Sequence, residues 1–288
     1  MAERTIVITG ASDGIGASAA RTLSARGEHV VVVGRSRDKT GAVAGAIGAD
    51  FLVTDFADLG QVRSLASELL ERYPRIDILA NNAGGIMGNR ELTVDGHEKT
   101  FQVNHLAPFL LTTLLLDRLI ESSATVINTS SAANSFWGNI VIDDLDAEKK
   151  YSPNGAYGNG KLENILFTRE LNRRYHAQGI STAAFHPGVV ATSFATGSTS
   201  LMRFAYRGLF SRLLLTPEQG ADTLVWLATT TPGTDWVSGE YYEKRAIQKA
   251  NKQAYDARLA LELWDRSAAM VSAPAARSAH QNSPESDE

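Results

Sequence analysis

The 288 residues contain no cysteine. Disulfides, a thiolate nucleophile and zinc sites built on sulfur are thereby excluded. There is no basic excess either. Lys and Arg number 28 against 32 Asp and Glu, a net charge of -4, so nucleic acid is not an expected partner. No apolar run approaches the roughly 20 residues of a membrane span, so no transmembrane segment is expected. The start, Met1-Ala2-Glu3-Arg4, lacks a basic segment followed by a long apolar one, so no secretory signal is visible and a cytoplasmic location is the expectation. The six histidines form no metal pattern and read as packed or capped side chains. Asp143, Asp144 and Asp146 lack a metal-ligand spacing and read as a solvated loop.

What is present is apolar material for one large core, at 43% hydrophobic residues. Short β-branched runs alternate with helix-like stretches. Residues 5–9, 28–34, 76–80, 125–128, 181–185 and 236–242 read as strands, with a helix over 17–26. That alternation predicts an α/β fold, a parallel sheet covered by helices on both faces. No internal repeat or linker divides the chain, so residues 1–271 read as one domain. The last helix is expected over 246–270. Residues 272–288, rich in Ser, Ala and Pro, read as a disordered tail.

Two motifs carry chemistry. The first is Thr9-Gly10-Ala11-Ser12-Asp13-Gly14-Ile15-Gly16, between an apolar strand and a helix. Glycines let the backbone turn sharply and approach a pyrophosphate, and the helix N-terminus offers free N–H groups to the anion. The spacing, Gly-x3-Gly-x-Gly, also suits a plain strand-to-helix turn. At the end of the second strand, an acid usually holds the ribose of NAD. Here Gly34 is followed by Arg35, Ser36 and Arg37, with Lys39 close behind. Guanidinium groups can bind a 2′-phosphate, which favours NADP(H) over NAD(H). The alternative is that Arg35 and Arg37 face water, and Asp38 nearby counts against the phosphate reading.

The second motif is Tyr157 and Lys161, four residues apart and so on one face of a helix. A phenol with a pKa near 10 is a poor base at neutral pH. An ammonium about 4 Å away, at an effective dielectric near 20, is worth roughly 4 kcal/mol, enough to bring the phenol near 7. The same spacing also occurs in surface pairs.

Taken in order along the chain, these motifs resemble the short-chain dehydrogenase/reductase family over nearly all of the folded part. The glycine turn Thr9–Gly16 matches, as do Asn81-Asn82-Ala83-Gly84, Asn104 in Phe101-Gln102-Val103-Asn104, Ser130-Ser131, the Tyr157/Lys161 pair and Pro187-Gly188 with Thr192. The resemblance implies a Rossmann-type, doubly wound parallel sheet of about seven strands. It implies a hydride exchanged between nicotinamide and a carbonyl or alcohol, with Tyr157 as proton donor and acceptor. Lys161 would lower its pKa and reach the nicotinamide ribose, Ser131 (with Ser130 as the fallback) would orient the carbonyl, and Asn104 would hold a water of a proton relay. The cofactor would lie along Gly10, Ser12, Asp13, Gly14, Ile15 and Gly16. Arg35, Arg37 and Asp55 would meet the adenosine half. Asn82, Ala83 and Gly84 would line the cleft, and Pro187, Gly188, Val190 and Thr192 would meet the nicotinamide end.

Ser131 and Tyr157 stand 26 residues apart, where many family members have about a dozen. With Lys161-Leu162-Glu163-Asn164-Ile165-Leu166-Phe167 and His186-Pro187-Gly188, this resembles the retinol-dehydrogenase-like branch, which acts on lipophilic carbonyls. The segment at about 193–215 holds Leu201, Phe204 and Phe210 with Arg203, Arg207 and Arg212, and no acid. By resemblance it is a substrate lid; a packed core helix and a membrane-surface helix are the alternatives. A homo-oligomer is compatible with the sequence. So is a redox-inactive, nucleotide-binding regulatory protein on the same fold, although a pure sensor needs no Asn104, Ser131, Tyr157 and Lys161.

Overall fold

Strand β1, Thr5–Thr9, shows why this sheet is parallel and central: Ile6, Val7 and Ile8 are all fully buried. A strand covered on both faces carries a continuous apolar run instead of an alternating one. The computed structural model describes residues 4–189 and 215–272. In chain order the elements are β1, α1 (Gly14–Ser24), β2 (His29–Gly34), α2 (Arg37–Ile47), β3 (Asp50–Val53), α3 (Leu59–Arg72), β4 (Ile78–Asn81), α4 (Lys99–Phe101), α5 (Ala107–Leu114), α6 (Leu116–Glu121), β5 (Thr125–Thr129), α7 (Ala133–Phe136), α8 (Pro153–Tyr175), β6 (Ser181–His186), α9 (Pro217–Thr229), β7 (Glu240–Glu243), β8 (Ala246–Ile247) and α10 (Ala257–Ser272).

Among the described residues the strands form one sheet in the order β3-β2-β1-β4-β5-β6-β7-β8, parallel except for the last pair. Register alternates the faces. Val7, Val31, Leu79 and Val126 point into a core shared with Leu65, Phe109, Phe167 and Trp264. Ile6, Ile8, Val32 and Ala80 point into one shared with Ala20, Leu23, Leu224 and Leu227. The strand order reverses between β1 and β4. Such a switch point opens a crevice beyond the carboxyl ends of the strands, where ligands bind in open α/β sheets.

Three expectations are corrected. Residues 236–239 are loop, and the strand is confined to Glu240–Glu243. The last helix begins at Ala257, not at 246, because Ala246–Ile247 turns back as an eighth strand against β7. The turn is made by Lys244 and Arg245, both in the left-handed region with φ of 50° and 62°. Hairpin turns of that kind usually announce themselves with Asn or Gly. Here Arg245 is instead held in an ion pair with Asp222. Finally, Asp146 is no solvated loop acid. Its carboxylate accepts from the Glu98 amide at 2.8 Å and meets His97 Nδ1 at 3.2 Å, pinning the 91–98 loop. The tail from 273 and residues 190–214, which hold most of the expected lid together with Val190 and Thr192, lie outside the described residues.

Candidate active site

The floor of the crevice is laid by one hydroxyl. Thr9, at the end of β1, donates to the Ala80 carbonyl at 3.2 Å and accepts from the amides of Asn82 and Ala83, both at 3.0 Å. Asn82 completes the tie: Nδ2 donates to the carbonyls of Thr9 (3.0 Å) and Gly10 (3.2 Å), and Oδ1 accepts from Thr129 Oγ1 at 3.3 Å. Its side chain therefore clamps the ends of β1, β4 and β5 together. The glycines fit because nothing larger does. A Cβ on Gly10 would lie 2.7 Å from Ala83 Cα, and one on Gly16 would lie 2.5 Å from the Gly10 carbonyl oxygen. Asp13 caps α1 by accepting from the Gly14 amide at 2.7 Å.

Above this floor runs a cleft of about 800 Å³. Gly10, Ser12, Asp13, Gly14, Ile15, Gly16, Arg35, Asp55, Asn82, Ala83, Gly84, Ser131, Tyr157, Lys161, Pro187 and Gly188 all line it. Arg37 does not. Ser36 is the N-cap of α2, accepting from the Lys39 amide at 3.4 Å, which sets Arg37 on the first turn away from the opening. Lys39 takes its place on the cleft wall, 3.7 Å from Asp13. A cradle of glycine backbone and a helix N-terminus, with Arg35 just after β2 and Lys39 in the first turn of α2, fits a nicotinamide dinucleotide.

At the other end, α8 carries Tyr157 and Lys161, 6% and 1% exposed. Lys161 Nζ lies 5.5 Å from the centre of the Tyr157 ring and donates to the Thr129 carbonyl at 3.2 Å. That carbonyl also accepts from Asn164 Nδ2 at 3.1 Å. Burial pushes the Lys161 pKa down to about 7, since the interior disfavours the ammonium. Asn104 sits in a widened helical turn, Gln102–Leu106. Its Nδ2 takes the Thr100 carbonyl at 2.8 Å and the Gly85 carbonyl at 2.9 Å, while Oδ1 accepts from the Gly85 amide at 3.2 Å. Such widened turns recur at functional sites. Gly84 lies between the two partners: a Cβ there would be 2.5 Å from Asn104 Oδ1 and 2.9 Å from Lys161 Nζ.

The two serines part company. Ser130 is buried and donates to the Lys161 carbonyl at 2.7 Å, tying β5 to α8. Ser131 is half-buried on the cleft wall, its Oγ accepting from the Ala133 amide at 3.2 Å. Sequence reasoning missed Thr129, Phe136, Trp137 and His186 as lining residues, and named Lys39 only as part of the basic cluster after Gly34. His186 is buried with its pKa lowered, chiefly by burial; His105, whose pKa burial also lowers, does not line the cleft and meets Ser267 Oγ at 2.9 Å. Only the adjacent Phe136-Trp137 pair, just after Ser131, offered a readable signal.

Comparison with known proteins settles the lineage. Residues 4–201 match the short chain dehydrogenase family. The chain belongs to that family. Its members are oxidoreductases acting on carbonyl and alcohol groups with a nicotinamide cofactor. A protein of Streptomyces sp. (strain C5) that carries the name daunorubicin C-13 ketoreductase DnrU is 42% identical over 275 residues, 93% of this chain and 92% of that one. Human retinol dehydrogenase 12 is 38% identical over 276 residues, 93% and 86% of the two chains. A crystal structure of an uncharacterized protein from Mycobacterium paratuberculosis superposes with a TM-score of 0.75 at 33% identity, over 96% of each chain. This short-chain dehydrogenase thus falls among retinol-dehydrogenase-like and ketoreductase relatives. Among its described residues no helix is long and apolar enough to cross a membrane.

Proposed function

We propose that this short-chain dehydrogenase is an NADP(H)-dependent reductase of lipophilic ketones and aldehydes, with Tyr157 as the general acid. The observation that carries the reading is the meeting of Asn104 and Lys161 around Gly84, one helical turn from Tyr157, at the end of the cleft that Ser131 lines. When bound, reduced nicotinamide supplies the hydride. As negative charge builds on the substrate oxygen, the Tyr157 hydroxyl delivers a proton to it, and Ser131 donates a hydrogen bond to the same oxygen. The phenolate left behind is stabilised by Lys161, and in turn it favours the charged form that burial opposes. The cycle closes when Lys161 passes a proton to the phenolate and regains one from solvent along the wall that Asn104 fixes with its three bonds.

NADP(H) is supported by Arg35 and Lys39 on the cleft wall, with no carboxylate at positions 34–36. A ketone or aldehyde as substrate is supported by the relatives named for daunorubicin C-13 ketoreduction and for retinol. The test is steady oxidation of NADPH, and of NADH at equal concentration, with a panel of apolar aldehydes and ketones. Turnover with NADPH at least about tenfold more efficient than with NADH is expected. No turnover with any member, or a preference for NADH, overturns the reading.

A further inference from the structure

Directly after Ser131 the chain makes the short helix α7 and leaves it through two neighbouring aromatic residues, Phe136 and Trp137, both lining the cleft. Phe136 is 76% exposed and Trp137 37%. Large aromatic side chains carry most of their binding value in the apolar area they can cover, so leaving two of them open to water is unfavourable until something covers them.

Their support is rigid. Asn134 Nδ2 donates to the Ser131 carbonyl at 2.6 Å and to the Tyr241 hydroxyl at 3.3 Å. Its Oδ1 accepts from the Asn251 amide at 2.9 Å, and Asn251 Nδ2 donates to the carbonyls of Asn134 (3.0 Å) and Gly138 (2.8 Å). The residue after Tyr157 is a glycine pressed onto the same turn. A Cβ on Gly158 would lie 2.7 Å from the Trp137 carbonyl carbon and 2.8 Å from the Gly138 amide nitrogen. The Tyr157 ring itself packs with Ile86 and Ala133. The backbone that carries Phe136 and Trp137 is therefore fixed relative to the phenol. A pre-set aromatic surface loses little conformational freedom when a ligand covers it.

We propose that Phe136 and Trp137 form an aromatic platform for the body of a flat, uncharged, fused-ring ketone whose carbonyl reaches Ser131 and Tyr157. Stacked and edge-on contacts add to simple area burial only when the partner also has a π face. A saturated chain of equal carbon count gains the burial alone. The inference rests on the reductase reading above, and binding without turnover separates the two.

The probes are 2-acetylnaphthalene and the straight-chain 2-dodecanone, which has the same number of carbon atoms. Binding is measured by equilibrium dialysis to the Tyr157→Phe protein saturated with NADPH. The aromatic ketone should bind about tenfold tighter than the aliphatic one. Adding Phe136→Leu and Trp137→Leu, which keep apolar area but remove both π faces, should remove that advantage while leaving 2-dodecanone and NADPH affinity within about twofold. Phe136→Ala alone, at a side chain exposed enough to be dispensable for folding, should remove part of it. With Tyr157 restored, the same pair should raise KM for 2-acetylnaphthalene about tenfold and leave kcat nearly unchanged. Equal binding of both ketones, or equal loss of both in the platform variant, overturns the proposal even if turnover is intact. Selective aromatic binding without turnover of either ketone supports the platform and sinks the reductase reading instead.

Discussion

At the end of the cleft proposed to hold the nucleotide, Gly10 and Gly16 bring the backbone itself to the wall, whereas at the end proposed as catalytic Lys161 and Asn104 are side chains held by buried bonds beside Tyr157. The difference decides what each end tolerates. A backbone-built site is indifferent to many side chains but not to an added Cβ. A side-chain-built site depends on the identity of a few groups and on whatever fixes them. Thr9 and Asn82 join the two ends, since both tie β1 to β4, and Asn82 reaches β5 through Thr129.

The largest effect should come from the catalytic end. Tyr157→Phe keeps the ring and its packing but removes the proton donor, so turnover should fall about a hundredfold or more. NADPH affinity, measured by fluorescence titration, should barely move. Lys161→Met should lose turnover and some cofactor affinity together. A Tyr157→Phe protein that keeps more than about a tenth of its activity would falsify the assignment of the acid. Next come two glycines that set the ends against each other. Gly16→Ala should weaken NADPH binding about tenfold or more, because its Cβ meets the Gly10 carbonyl oxygen at 2.5 Å. Gly84→Ala should instead lower kcat by about tenfold or more, because it displaces Asn104 and Lys161. If both substitutions change the same kinetic parameter, the two ends are not separately built.

Much of this was legible in the sequence, for a physical reason. A parallel strand buried on both faces reads as a β-branched run, so Thr5–Thr9 needs no structure to be found. The glycine turn and the Tyr157/Lys161 spacing are local patterns, and the fold brings them to one cleft, while Asn104, found through the family resemblance, packs behind Gly84. What was not legible depends on three-dimensional approach. Arg37 against Lys39 is decided by which face of α2 its cap presents. Ser131 over Ser130 as the exposed hydroxyl is decided by the carbonyl of Lys161, 31 residues away. The hairpin at Lys244–Arg245 has no turn signature, because its support is an ion pair to Asp222. Asp146 read as a surface acid because its partners, His97 and Glu98, are about fifty residues distant.

A smaller effect is expected where the nucleotide end does use side chains. Arg35→Ala should shrink the preference for NADPH over NADH by up to about tenfold, or about 1.4 kcal/mol. Lys39→Ala should act in the same direction and Arg37→Ala should leave the ratio of the two dissociation constants unchanged, since Arg37 does not line the cleft. A ratio that responds to Arg37 and not to Arg35 or Lys39 would move the phosphate site to Arg37 and off the cleft wall described above.

The smallest effect tests the scaffold behind the catalytic end, through Glu163, two residues beyond Lys161. Glu163 is 1% exposed and its Oε2 has no hydrogen-bond partner. Burial raises its pKa well above the ordinary carboxylate value, and the negative charges of Glu98 and Asp146 add to the rise. A carboxyl that resists ionisation in the folded state, while the unfolded chain ionises normally, holds more protons folded than unfolded. Its contribution is therefore fully present below the unfolded pKa and is lost as pH rises through the folded one. Glu163→Gln removes that dependence and keeps the shape. The melting temperature of the variant minus that of the unaltered protein should thus grow from about pH 5 to about pH 8. A rise of about 2 °C or more is expected for a chain of this size. His105, whose pKa burial lowers to about 3, loses stability in the opposite direction, as pH falls from its ordinary value near 6.5. It is common to both proteins and cancels in the difference. A difference that stays constant with pH would mean that Glu163 ionises as freely in the fold as outside it, and the buried carboxyl behind Lys161 would then have to be solvated.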